Sequence, residues 1–158
     1  MAEITISRAE SDVDLAVVAS LFRAYAASLD VDLAYQDFEA ELAGLPGHYA
    51  APRGLLLLAS DIDGVPLGCV ACRPLDEDVC EMKRLFVAPA GRGQGLGRLM
   101  VRRLLADAQA LGYREMRLDT LASMTAAQKL YRAEGFEPTA PYYDTPVAGT
   151  VFLRRSLG

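Results

Sequence analysis

Ile4 and Ile6 alternate with polar neighbours, which predicts a strand over residues 3–8. Ser11 and Asp12 are both able to cap the helix that follows, where Leu15, Val18, Leu21, Phe22 and Tyr25 recur at helical spacing. A second, short helix is expected from Tyr35 to Ala43, stopped by Gly44, Pro46 and Gly47. The period then changes. GLLLLASDIDGVPLGCVACRPL is two apolar runs joined by Asp61-Ile62-Asp63-Gly64, a hairpin signal. VCEMKRLFV, residues 79–87, forms a third run. Leu96, Met100, Leu104 and Ala108 return to helical spacing, and Gly112 ends that helix. EMRLDT, residues 115–120, reads as a strand, and residues 124–134 as a helix closed by Gly135. Two last strands are expected around Tyr142-Tyr143 and from Val151 to Leu153.

The order is therefore β-α-α-β-β-β-α-β-α-β-β. The strand, helix and strand from 79 to 120 imply a right-handed crossover and a locally parallel pair. The fold class expected is α/β, a mixed central sheet flanked by about four helices.

Composition narrows the function. The 158 residues suit one domain over 1–158, with 52% hydrophobic and 23% charged residues. A net charge of −5 lacks the basic excess of a nucleic-acid footprint, so no nucleic-acid partner is expected. An acidic body mildly favours cationic partners such as amines. The N-terminus MAEITISRAESDVDL has acids where a signal peptide needs a basic start and an apolar run, and GLLLLAS is too short to span a bilayer. A soluble, cytoplasmic protein with no membrane partner is expected. Cys69 and Cys72 form a C-x-x-C, but on a strand positions i and i+3 face opposite ways. With His48 the sole histidine, structural thiols and no metal are expected.

The chemistry centres on VAPAGRGQGLGRLM, residues 87–100, with glycine at 91, 93, 95 and 97. A strand, a glycine-rich turn and a helix start form a phosphate-binding layout, since the helix start offers unpaired N–H groups and a positive dipole end. The G-x-G-x-x-G dinucleotide pattern fails from Gly91, where the sixth residue is Leu96, and from Gly93, where it is Arg98. No G-K-[ST] tripeptide is present. A tight turn with close packing is the plain structural alternative.

Arg92-Gly93-Gln94-Gly95-Leu96-Gly97 fits R/Q-x-x-G-x-G/A and here the chain resembles the GNAT acyltransferase superfamily. The motif follows CEMKRLFVAP, similar to that family's fourth strand and its exit, and precedes AQKLYRAEGF (127–136), similar to its A-x-x-L-Y-x-x-x-G-F helix end. The likeness is strongest over 81–136 and weaker over about 54–158.

The resemblance implies an N-acetyltransferase with acetyl-CoA as co-substrate. Residues Arg92, Gly93, Gln94, Gly95, Leu96, Gly97 and Arg98 would hold its pyrophosphate. The backbone of Leu85, Phe86 and Val87 would hold the pantetheine arm and the acyl carbonyl. Tyr131 stands at the position of the tyrosine that protonates the leaving sulfur; a phenol suits that task. The base is open between Glu81, Asp119 and water. Glu81 and Lys83 share a strand face, so a plain ion pair is the alternative there. Arg102 either reaches the outer phosphate or lies on a solvated face. Met124 stands where many relatives carry an asparagine, beside Ser123 and Thr125 as alternative caps or contacts.

The acceptor is expected to be a primary amine of a small molecule or of a protein or peptide, with a homodimer allowed. Tyr25, Tyr35, His48, Tyr49, Tyr142 and Tyr143 are candidate walls of its site, and Asp76-Glu77-Asp78 either steers a cation or forms a solvated turn. The alternative function is a catalytically weak acyl-CoA-binding sensor or partner module. Tyr131 and the carboxylates favour the enzyme.

Overall fold

The computed structural model describes residues 3–29, 32–33 and 37–158. The elements are β1 (Ile4–Arg8), α1 (Asp12–Ser28), α2 (Phe38–Ala43), β2 (Leu55–Asp61), β3 (Pro66–Pro74), β4 (Val79–Val87), α3 (Leu96–Ala110), β5 (Glu115–Thr120), α4 (Thr125–Ala133), β6 (Glu137–Pro138) and β7 (Val151–Ser156). The predicted order of element types is present, with the penultimate strand at another place than expected. The strands form one sheet in the order β1-β2-β3-β4-β5-β7-β6, antiparallel except for β4 beside β5.

Two cores lie on the two faces of this sheet. Leu55, Leu57, Val70, Cys72 and Met82 pack beneath Met100, Val101 and Leu104 of α3, with Tyr131 of α4. Leu56, Leu58, Cys69, Ala71 and Phe86 pack beneath Val18, Leu21 and Phe22 of α1 and Phe38 and Leu42 of α2. This explains the unbroken Leu55–Leu58 run: both faces of β2 are covered, so alternation with polar residues has no role there. It also separates Cys69 from Cys72, one in each core, as their strand spacing predicts.

Local signals act as expected at most ends. The Ser11 hydroxyl accepts from the Asp14 N–H and caps α1. Asp61 Oδ1 accepts from the N–H groups of Asp63 and Val65 and closes the β2–β3 hairpin. Met124, rather than Ser123 or Thr125, occupies the cap position of α4, and its side chain makes no capping hydrogen bond. Tyr35 lies outside the described residues, and α2 begins at Phe38 rather than at Tyr35, because Asp37, left-handed at φ +54°, is its cap residue.

The predicted strand at Tyr142-Tyr143 is corrected. The penultimate strand is the two-residue β6 at Glu137–Pro138, and Tyr142-Tyr143 lies in a bend. The tyrosines are apolar-facing for another reason. Both rings stand edge-on to Phe152, at 5.2 and 5.4 Å between centroids, so ring packing rather than a strand ladder holds them.

Two features of β4 matter for function. Its ladder with β5 covers only Val79–Glu81 against Glu115–Arg117, so the two strands part beyond Glu81. Its ladder with β3 shifts between Cys69 and Ala71, where Lys83 faces Ala71 and Phe86 faces Cys69. Arg84 sits at this bulge with φ +62°, a left-handed conformation rare for a non-glycine residue.

Candidate active site

The four glycines divide into two pairs. Gly93 and Gly95 have φ of +82° and +72°, which glycine adopts without strain, and a Cβ on either would meet open space. Gly91 and Gly97 serve packing instead. A Cβ at Gly91 would lie 2.8 Å from the Leu67 carbonyl oxygen, and one at Gly97 3.3 Å from Leu130 of α4. Gly95 is the cap residue of α3, and no side chain caps that helix. Its start thus presents uncapped backbone N–H groups beside an open loop, which fits a phosphate.

The arginines around the loop are partly engaged. Arg92 donates through Nε to the Val87 carbonyl. Arg98 and Arg102 both donate to the carboxylate of Glu134, just past α4, at 3.2 and 2.7 Å. The Arg102 bond, with the nearby charges of both arginines, holds Glu134 below the usual carboxylate range. Glu134 lies inside the AQKLYRAEGF motif but is not among the expected site residues.

Where β4 and β5 part, a narrow cavity opens. Leu85, Leu118, Asp119, Thr120, Met124, Tyr131 and Tyr25 are among its walls. Burial and the neighbouring Tyr25 and Asp119 raise the Tyr131 phenol above its ordinary value, so it keeps its proton at neutral pH. The Tyr131 ring packs against Phe136 at 5.9 Å. Of Asp119, Oδ2 accepts from the Tyr143 hydroxyl at 2.5 Å. Leu85 and Val87 pack on the α3 side and Phe86 is buried on the α1 side.

A larger cavity of about 650 Å³ lies beside it, between α2, β3, β4 and the 143–146 bend. Glu81, 1% exposed, stands in its wall. Its Oε1 accepts from Arg73 Nε at 2.8 Å and lies 3.9 Å from Lys83 Nζ. Its Oε2 accepts from the Tyr142 hydroxyl at 2.6 Å. Burial and the Glu81 carboxylate push the Tyr142 phenol well up. The Glu81–Lys83 ion pair, the alternative reading of Glu81, is thus present within a wider cluster. Arg73 was missed, although it is directly opposite Glu81 in the hairpin register. Arg84 is 3% exposed in its side chain and forks onto Glu41 of α2 at 3.0 and 2.9 Å. Burial opposes its charge, and the bonds to Glu41 outweigh that, so its pKa stands above the ordinary arginine value.

Lys83 and Arg84 line both cavities. Burial lowers the Lys83 pKa, against the opposing pull of Glu81. Of the expected acceptor walls, His48, Tyr49 and Tyr143 line the larger cavity and Tyr25 the smaller. The Asp76-Glu77-Asp78 loop does not line either cavity. It is a turn in which Asp76 Oδ1 accepts from the N–H groups of Asp78 and Val79, tied to Arg53 through two carbonyls.

The model of the acetyltransferase (GNAT) family matches residues 18–136. The chain belongs to this family. An uncharacterized N-acetyltransferase of Schizosaccharomyces pombe is 39% identical over 155 residues, covering 98% of this chain and 95% of that one. N-acetylaspartate synthetase of Rattus norvegicus is 34% identical over 115 residues, 71% of this chain and 38% of that one. Among solved structures, a GNAT acetyltransferase of Staphylococcus aureus overlays with a TM-score of 0.79 at 17% identity, covering 98% and 99% of the two chains. A Salmonella typhimurium structure with its cofactor acetyl-CoA overlays with a TM-score of 0.70 at 22% identity, covering 98% and 94%. The family and these relatives make the chain an N-acetyltransferase. No helix among the described residues is long and apolar enough to cross a membrane. Among the described residues no group of three His, Cys, Asp or Glu side chains could hold a metal ion.

Proposed function

We propose that this chain acetylates a primary amine of small-molecule size, with Tyr131 as acid and Glu81 as base. The observation that carries the reading is the parting of β4 from β5 beyond Glu81, with Lys83 in the walls of both cavities.

Acetyl-CoA supplies an activated acyl group as a thioester. Gly93, Gly95 and the start of α3 suit its pyrophosphate, with Arg92 and Arg98 adding charge. The backbone of Leu85, Phe86 and Val87, on the edge that β5 leaves, suits the pantetheine arm. A backbone N–H there would donate to the thioester carbonyl oxygen as charge develops on it. Tyr131, protonated and buried beside this edge, would return a proton to the departing sulfur.

Glu81 is favoured over Asp119 as base because it stands in the wall of the larger cavity, whereas Asp119 lines the narrow one and is tied to Tyr143. Tyr142 and Arg73 hold the two Glu81 oxygens and fix its orientation. A cavity of about 650 Å³ suits a small molecule better than a long peptide. The N-acetylaspartate synthetase relatives favour an acceptor of amino-acid size.

The test is acetyl-CoA consumption against amines, amino acids, polyamines and short peptides, with products read by mass. Acetylation of one small-amine class, slowed in Tyr131→Phe, supports the reading. Acetyl-CoA binding without any product favours the sensor or partner-module role instead.

A further inference from the structure

Lys83 carries a primary amine into the walls of the candidate site. It lies on the acceptor-side face of β4 with Glu81, two residues before Leu85. It lines both cavities, so it stands where they adjoin, and acyl donor and amine would meet there on the placement proposed above. Its side chain is only 10% exposed, which excludes most bulk water, and the Glu81 carboxylate lies 3.9 Å from its Nζ. Elsewhere the chain builds its cations almost wholly from arginine: Lys83 and Lys129 are its only two lysines, among 16 lysine and arginine residues. Lysine differs from arginine in being able to lose its proton near neutrality when buried.

We propose that Lys83 is itself acetylated by this enzyme when no external acceptor fills the larger cavity. The inference rests on the acetyl-CoA placement proposed above. Burial favours the neutral amine of Lys83. Its Nζ lone pair attacks the thioester carbonyl carbon, so an N–C bond forms and the C–S bond breaks. The bonding pair leaves on sulfur. Nζ passes its surplus proton to Glu81, and Tyr131 protonates the sulfur. The products are Nε-acetyl-Lys83 and free coenzyme A. The amide is stable, so the modification persists. It removes a cation from beside Glu81 and projects an acetyl group into the acceptor's space. An enzyme without acceptor thereby shuts its own site, and a bound acceptor protects it.

The experiment incubates the purified full chain with acetyl-CoA and no amine, then locates acetyl groups by peptide mass spectrometry. Lys129, exposed on α4, is the internal reference for non-enzymatic acetylation. Acetyl-CoA binding is measured in parallel by calorimetry. The expected result is acetylation at Lys83 approaching one group per chain, at least tenfold faster than at Lys129. Tyr131→Phe should slow it about 100-fold, and heat-unfolded chain should abolish the preference. Lys83→Arg, checked for fold by circular dichroism, should leave only the Lys129 background. Binding with Lys83 unmodified, or modified no faster than Lys129, overturns the proposal and leaves the acetyl-CoA placement standing. Absence of binding overturns both.

Discussion

Replacing Gly91 with alanine separates packing from ligand binding in the glycine spine. The new Cβ would lie 2.8 Å from the Leu67 carbonyl oxygen, and 3.1 Å from both Leu67 Cβ and Leu96 Cδ2. That carbonyl cannot retreat freely, because it accepts the Ala88 N–H at 2.8 Å. Overpacking costs about 1–3 kcal/mol, and weakening this hydrogen bond adds about 1, so Gly91→Ala should lose roughly 2–4 kcal/mol. For a chain of this length the midpoint should fall by about 5–15 °C. Gly95→Glu should behave in the opposite way. Its Cβ meets open space, and the φ of +72° costs only about 1–2 kcal/mol. Its carboxylate, however, would occupy the proposed phosphate seat at the start of α3, and acetyl-CoA affinity should drop about 100-fold, or roughly 2.7 kcal/mol. Thermal and urea unfolding of each variant, paired with calorimetric titration of acetyl-CoA, measure stability and affinity. A Gly91→Ala protein with an unchanged midpoint would refute the packing argument. A Gly95→Glu protein that binds normally would remove the phosphate from this loop.

Other expectations are simpler to state. Tyr131→Phe should keep acetyl-CoA affinity and lower kcat about 100-fold, read by steady-state kinetics; full turnover would exclude this phenol as the acid. Glu41→Ala strands the buried Arg84 charge and should cost about 3–5 kcal/mol in urea melts, whereas Glu41→Ala with Arg84→Met should recover part of the loss. Glu134 has a folded-state pKa below its unfolded value of about 4.3, so its contribution is complete above that pH and is lost as pH falls through the folded value. The stability gap between wild type and Glu134→Gln should therefore be widest near neutrality and close in acid; a gap independent of pH would count against the Arg102 pairing.

The elements were legible where period and punctuation agreed. Val79–Val87 and Glu115–Thr120 were read with their observed bounds, since apolar content and flanking turns both marked them. The strand at Tyr142-Tyr143 misled because aromatic content mimics strand propensity, while β6 is too short to show any period. The family motif pointed to Tyr131, Glu81 and the 92–98 loop. It did not reveal Arg73, Glu41 or Glu134, which reach their partners across hairpin register, from another helix or from beyond a helix end. Only the Arg73 contact could have been found, by counting outward from the Asp76-Glu77-Asp78 turn along the β3–β4 ladder. The others depend on how separate layers stack, which one-dimensional spacing does not encode.

The three-pair ladder between β4 and β5 also divides the chain mechanically. On one side stands the antiparallel meander β1 to β4, and on the other the trio β5, β7 and β6. Few backbone bonds cross the boundary, so this is where the sheet should breathe first, with amides near Leu118 to Thr120 exchanging sooner than those inside the meander. A ligand lying along that boundary does the work of missing ladder bonds. It would couple two semi-independent folding units into one, and at 100 times its dissociation constant it would add about 2.7 kcal/mol to their joint stability. A coenzyme lying there would, in that sense, be a removable seam stitch.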